Sequence, residues 1–151
     1  MTQFTITGKD TLTLYDRVFA NLADDDTSTI TFPEDLVSVS TGKNQNTIFA
    51  LNEKGNNGVL VLRVMRGSSD DQFLVGKQAI TDKDFVSTVL ANGEFRKRLG
   101  DGDGGVIADV YTLQGGMITR RVEGKENVSG DTEQGVAVYT FTFALARRSI
   151  Q

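Results

Sequence analysis

Gln134–Arg148 reads Q-G-V-A-V-Y-T-F-T-F-A-L-A-R-R, and at period two it separates into two faces. One face carries Ala137, Tyr139, Phe141, Phe143 and Leu145. The other carries Val136, Val138, Thr140, Thr142, Ala144 and Ala146. Sustained alternation of β-branched and aromatic residues is a strand pattern. At about 3.3 Å per residue the strand spans on the order of 40 Å, roughly twice the usual length. Its bulky face requires a core. Its other face is small, flat and half polar, which suits either a long bent strand in a monomeric sandwich or a subunit of a larger β-assembly.

The rest of the chain agrees with a β protein. It has 151 residues, enough for one domain (1–151) with a real core. Trp is absent, so nine Phe, three Tyr and the aliphatics must build that core. There is no Cys and no His, which excludes disulfides, thiolate or imidazole metal sites, Cys nucleophiles and His bases. No S-x-x-K spacing offers a Ser/Lys pair, and the carboxylates sit mainly in turns. The chain is therefore read as having no enzymatic activity, no catalytic residues, no cofactor and no metal. Net charge is −4, so no basic face is advertised for phosphates. No apolar run approaches a membrane span. The first residues lack the order of a signal peptide, which points to synthesis and retention in the cytoplasm.

In chain order, Thr2–Thr7 reads as a strand, Gly8–Asp10 as a turn, and Thr11–Leu22 as a strand running into an irregular segment. Asp24–Asp26 reads as a solvated turn, since Asp-built calcium loops alternate ligands with spacers. Ser28–Phe32 and Leu36–Thr41 are strands separated by Pro33. Gly42–Lys43 lacks the glycine spacing of a phosphate loop. Thr47–Glu53 and Val59–Arg66 read as strands joined across the polar tip Lys54–Gly58. Ser68 followed by Asp70 and Asp71 is the best helix start, predicting one short helix at about Asp70–Ile80. Asn92–Gly93 is a strong hairpin signal, pairing Phe85–Ala91 with Glu94–Leu99. Arg96, Lys97 and Arg98 form the basic cluster, read as a solvated or interface face. Gly100–Gly105 reads as a mobile loop. Val106–Val122 is a second long β segment, interrupted at Gly115–Gly116. The expected fold is mainly β: two packed antiparallel sheets forming a small barrel or sandwich, with one short flanking helix.

Three stretches together resemble a known family: T-I-T-F-P-E-D-L-V-S-V-S-T-G-K-N-Q-N-T-I-F-A-L-N (29–52), L-R-V-M-R-G-S-S-D-D-Q-F-L (62–74) and V-E-G-K-E-N-V-S-G-D-T-E-Q-G-V-A-V-Y (122–139). Their order and spacing resemble the tail tube proteins of contractile-tailed bacteriophages, which share the fold of the type VI secretion tube. The resemblance implies a virion structural protein of the tail, assembled in the host cytoplasm. It implies hexameric rings stacked into a tube inside a sheath, through which the genome passes. The implied partners are further copies of the chain, a tail sheath protein, and baseplate and tube-terminating proteins. DNA would slide through without specific binding, because an acidic lumen repels phosphates. Asp109, Glu123 and Glu133 are the lumen candidates. Lys54, Gly55, Asn56, Asn57 and Gly58 are the candidates for a loop reaching the neighbouring ring, with Gly100–Gly105 as another. The related readings are a tailocin or injection-system tube and a tube terminator. The reading of a different class is a small-ligand or glycan-binding β-barrel.

Overall fold

The computed structural model describes residues 3–23, 26–53, 55–124, 126, 128 and 132–151, apart from the side chains of Lys9, Thr132 and Glu133. Among the described residues nine strands and one α-helix follow in order: β1 (Thr5–Leu14), β2 (Arg17–Val18), β3 (Ser28–Thr31), β4 (Val37–Thr41), β5 (Thr47–Leu51), β6 (Gly58–Met65), α1 (Ser69–Lys83), β7 (Ala91–Gly100), β8 (Val106–Arg120) and β9 (Val136–Ile150). They form two antiparallel sheets. One has seven strands in the order β2-β1-β7-β8-β9-β6-β3, and the other is the β4–β5 hairpin. The larger sheet is open, so the fold is sandwich-like rather than a closed barrel. Leu12 and Leu14 of β1 share one core with Leu60, Leu62 and Val64 of β6, so the sheet folds over on itself.

The long strands make this folding possible. β9 pairs with β6 from Val136 to Phe143 and with β8 as far as Ile150. Its buried residues are Ala137, Tyr139, Phe141 and Phe143, as the alternation predicts. Beyond Phe143 the parity changes: Ala146 is buried, and Leu145 only half-buried. β8 changes parity beside it. Gly115 takes φ +66°, and the β7–β8 register shifts between Ala91 and Gly93. The glycine pair in β8 is thus a bulge that lets one strand face the core on both sides of a bend. Gly116 leaves room for the Phe143 ring, and Gly58 for Ala146, whose Cβ would lie 2.5 Å from any Cβ added there.

Three pairings differ from the sequence reading. Gly8–Asp10 is a register irregularity inside β1 rather than a turn. Asn92–Gly93 makes no hairpin: both residues lie inside β7, which pairs with β1 and β8, while residues 85–90 form no strand. Gly93 stands there because the Thr13 carbonyl passes where its Cβ would be. A Gly93→Ala chain should lose about 2–3 kcal/mol, since backbone and not a flexible side chain must move. Urea unfolding checks this, and an unchanged midpoint would refute it. Finally, β5 pairs with β4, not β6. β6 is flanked by β3 and β9 and carries Leu60, Leu62 and Val64 into the core.

The helix starts where the capping pattern places it and runs to Lys83, one turn beyond Ile80. The Asp71 N–H donates to the Ser68 hydroxyl at 3.3 Å, and the Gly67 N–H donates to the Asp71 carboxylate at 2.8 Å. Leu74 enters the core, and Phe73 meets Tyr15 and Phe19 edge-on. Asp70 fixes the helix to the β2 region. It is 1% exposed and accepts from the Ala20 N–H at 2.9 Å, the Asn21 N–H at 2.8 Å and the Arg17 guanidinium at 2.9 and 3.1 Å.

Candidate assembly surfaces

The β4–β5 hairpin stands away from the core. Its register pairs Val37 with Leu51, Ser38 with Ala50, Val39 with Phe49 and Ser40 with Ile48. One face therefore carries Val37, Val39, Phe49 and Leu51, and the other Ser38, Ser40, Ala50 and Ile48. The apolar face is bare: Phe49 is 71% exposed and Val39 58%. Asn44 and Gln45 take left-handed φ at the tip, and the Gly42 N–H donates to the Asn46 carbonyl at 2.7 Å. The base is tied by the Asn52 N–H to the Leu36 carbonyl and by the Asn52 amide to the Asp35 carbonyl. A two-stranded hairpin is marginal alone. This one shows water an aromatic and three aliphatic side chains, the signature of a surface awaiting a partner.

A second bare apolar surface follows the helix. Phe85, Val86 and Val89 in the link to β7 are exposed, as are Val75 and Ile80 of α1. The Arg121 guanidinium grips Asp82 through two bonds of 2.8 and 3.0 Å, holding the last helical turn against the end of β8.

The two surfaces meet β8 at different levels, and the link enters β7 at Ala91, which pairs with Gly116. Phe32, on the chain entering the hairpin, stacks on Tyr111 near the strand's start, with ring centroids 6.4 Å apart. The helix C-terminus is held at Arg121, just past the strand's end.

The sequence-derived loop candidates sit elsewhere than at a tip. Gly55, Asn56, Asn57 and Gly58 connect the hairpin base to β6. The Asn56 carbonyl accepts from the Ala146 N–H at 2.9 Å, and Gly58 is buried beside Ala146. Lys54 lies outside the described residues. The projecting element is the adjoining hairpin, whose two segments read in the sequence only as strands. Gly100–Gly105 closes β7 onto β8. Asp101 there accepts from the Asp103 and Gly105 N–H groups at 2.8 and 2.9 Å, so the loop has a defined turn.

The lumen candidates are not brought together. Asp109, near the start of β8, is largely covered. It accepts two bonds of 2.9 and 3.0 Å from Arg148, and that hydrogen bonding holds the arginine pKa above its ordinary value. Its charge is thus met within the chain. Glu123 is exposed beyond the other end of β8. Asp24, Asp25 and the Glu133 side chain lie outside the described residues. In the basic cluster, Lys97 reaches Asp10 at 3.2 Å, and Arg96 reaches Glu94 at 3.4 Å.

A cleft of about 380 Å³ opens between α1 and the ends of β8 and β9, with Arg66, Asp71, Arg121, Glu123 and Tyr139 among its walls. Its cations are engaged: Arg66 meets Glu126 at 2.7 Å, and Arg121 meets Asp82. Tyr139 donates to Asp71 at 2.6 Å, and burial, then that bond, raises its pKa so that the phenol stays neutral. Among the described residues no group of His, Cys, Asp and Glu is arranged to hold a metal. No helix of the described residues is long and apolar enough to cross a membrane.

No protein-family model matches the sequence, and no curated protein does. The fold is similar to a solved chain described as the sheath/tube terminator of an extracellular contractile injection system, PVC, in the extended state. The TM-score is 0.53 at 11% identity, over 95% of this chain and 94% of that one.

Proposed function

We propose that the chain is a structural subunit of a contractile-tail-type assembly, in which copies form rings that stack into a tube. The observation that carries this reading is the hairpin's bare apolar face on an element anchored only at its base. Burying such a face at about 25 cal/mol per Å² is a strong drive to associate. The interior supports the reading too, because Tyr139, Phe141, Phe143, Leu60 and Leu62 fill the space where a barrel binder would hold its ligand. A hexameric ring, an acidic bore for the genome, and sheath and baseplate partners in a virion tail are the finer parts of the proposal. The bore would draw on exposed carboxylates such as Glu123, since Asp109 is neutralised by Arg148.

The similarity to a solved terminator favours a second reading, in which the ring closes the end of a tube instead of extending it. Electron microscopy of the purified protein at rising concentration distinguishes them. Tubes of stacked rings are expected for a tube subunit, and discrete single rings for a terminator. A solitary compact particle at high concentration overturns both.

A further inference from the structure

We infer that the outward face of β1, β7, β8 and β9 binds an extended acidic peptide, held by the guanidinium groups of Arg96, Arg98 and Arg147. This goes beyond the tube reading and does not rest on it.

The pleat sorts the basic cluster. Residues paired across neighbouring strands share a face. Leu12, Phe95, Tyr111 and Arg148 form one row, and Leu14, Leu113 and Ala146 lie on the same side. Leu12, Leu14, Leu113 and Ala146 belong to the core, so this side faces inward. Lys97 and Asp109 share it, and there the charges are met: Lys97 reaches Asp10 at 3.2 Å, and Arg148 reaches Asp109 at 2.9 Å. The opposite side carries Thr11, Arg96, Val110 and Ser149 in one row and Thr13, Glu94, Thr112 and Arg147 in the next. Arg98 stands beside Ala108 on that side. In these rows three guanidinium groups share a face with one carboxylate, Glu94, which Arg96 approaches at 3.4 Å. Arg98 and Arg147 are exposed and meet no carboxylate among the described residues. Beside Arg147 a groove of about 320 Å³ opens over β8 and β9, lined by Thr112, Gln114, Leu145, Arg147, Arg148 and Ser149.

Spacing and charge select the occupant. Arg96 and Arg98 are two residues apart on one strand, so their Cα atoms are about 7 Å apart. Carboxylates at alternate positions of an extended peptide repeat at the same interval. A guanidinium takes a carboxylate through two parallel bonds. The hydroxyls of Thr13, Thr112 and Ser149 add donors for the carbonyls of the peptide. The charge of the whole chain disfavours a nucleic acid. It is −4, and a duplex extends far beyond the Debye length of about 8 Å, so it meets the acidic remainder as well as the arginines. A short peptide meets the arginines alone.

Fluorescence anisotropy of a labelled peptide of alternating Asp and Thr tests this. It is titrated with wild type, Arg98→Glu, Arg147→Glu and the double variant. A labelled peptide of alternating Lys and Thr and a single-stranded oligodeoxynucleotide of equal charge are run in parallel. Both arginines are exposed and outside the core, so the variants should keep the wild-type circular dichroism spectrum. Wild type should bind the acidic peptide with an affinity that falls as salt rises. The double variant should bind it at least about tenfold more weakly, and should bind the basic peptide more tightly than wild type does. No saturable binding by wild type, or equal binding by the double variant, overturns the inference. Tighter binding of the oligodeoxynucleotide than of the acidic peptide overturns the choice of partner. The measurement needs no assembly, so its result and the tube reading stand or fall separately.

Discussion

A chain carrying Phe49→Asp and Val39→Asp should remain folded and lose the capacity to assemble. The two residues face each other across the hairpin and are exposed in the single chain. Neither belongs to the buried core, so the circular dichroism spectrum should match wild type and the unfolding free energy should change by less than about 1 kcal/mol. Assembly behaves differently. Truncating a buried aromatic anchor removes about 2 kcal/mol or more per contact, and a carboxylate placed there must be desolvated with no partner. The loss recurs at every joint of a stack, so an effect modest for one contact becomes all-or-none for a tube. Light scattering coupled to size exclusion reads the outcome. If this variant assembles at the wild-type concentration, the hairpin is not the joint.

The second large effect concerns Asp70. Replacing it with Ala should destabilise the fold by about 3–5 kcal/mol, because Arg17 and two backbone N–H groups lose their buried partner together. Asp70→Asn should fall between, since an amide oxygen accepts some of these bonds without balancing the Arg17 charge. A pH dependence accompanies it. Burial alone would raise the Asp70 pKa, but bonds from the Asn21 N–H, Arg17 and the Ala20 N–H outweigh it, and the net shift is downward. A carboxylate with a lowered folded pKa contributes stability that is present above its unfolded value, about 3.9. That stability is lost as pH falls through the lowered folded value. Wild type should therefore lose stability faster than Asp70→Asn on acidification below about pH 4. Parallel acid titrations would count against the role assigned to Asp70.

The parts of the fold visible in the sequence are those set by local pattern. β9 shows in its alternation, the bulge of β8 in Gly115–Gly116, and the helix start in Ser68, Asp70 and Asp71. What the sequence hides is set by distant partners. Asn92–Gly93 has hairpin chemistry, but the nearby Thr13 carbonyl, not a turn, explains the glycine. Asp70 reads as an ordinary first-turn acid, because its partners Arg17, Ala20 and Asn21 lie far back in the chain. The candidate assembly surface is half legible. The strand segments 36–41 and 47–51 were readable, but alternation alone does not say whether an apolar face is covered by its own chain. Their neighbour Lys54–Gly58 reads as a tip because it is polar, whereas its described residues, 55–58, connect the hairpin base to β6.

The hairpin and the link are two unlike exposed apolar surfaces, which has a directional consequence. Any row built by seating one on the other has a sense, like a row of arrows. One terminus always shows unseated arms and the other unfilled seats. The two termini then call for different closing proteins, and elongation rates at them need not be equal.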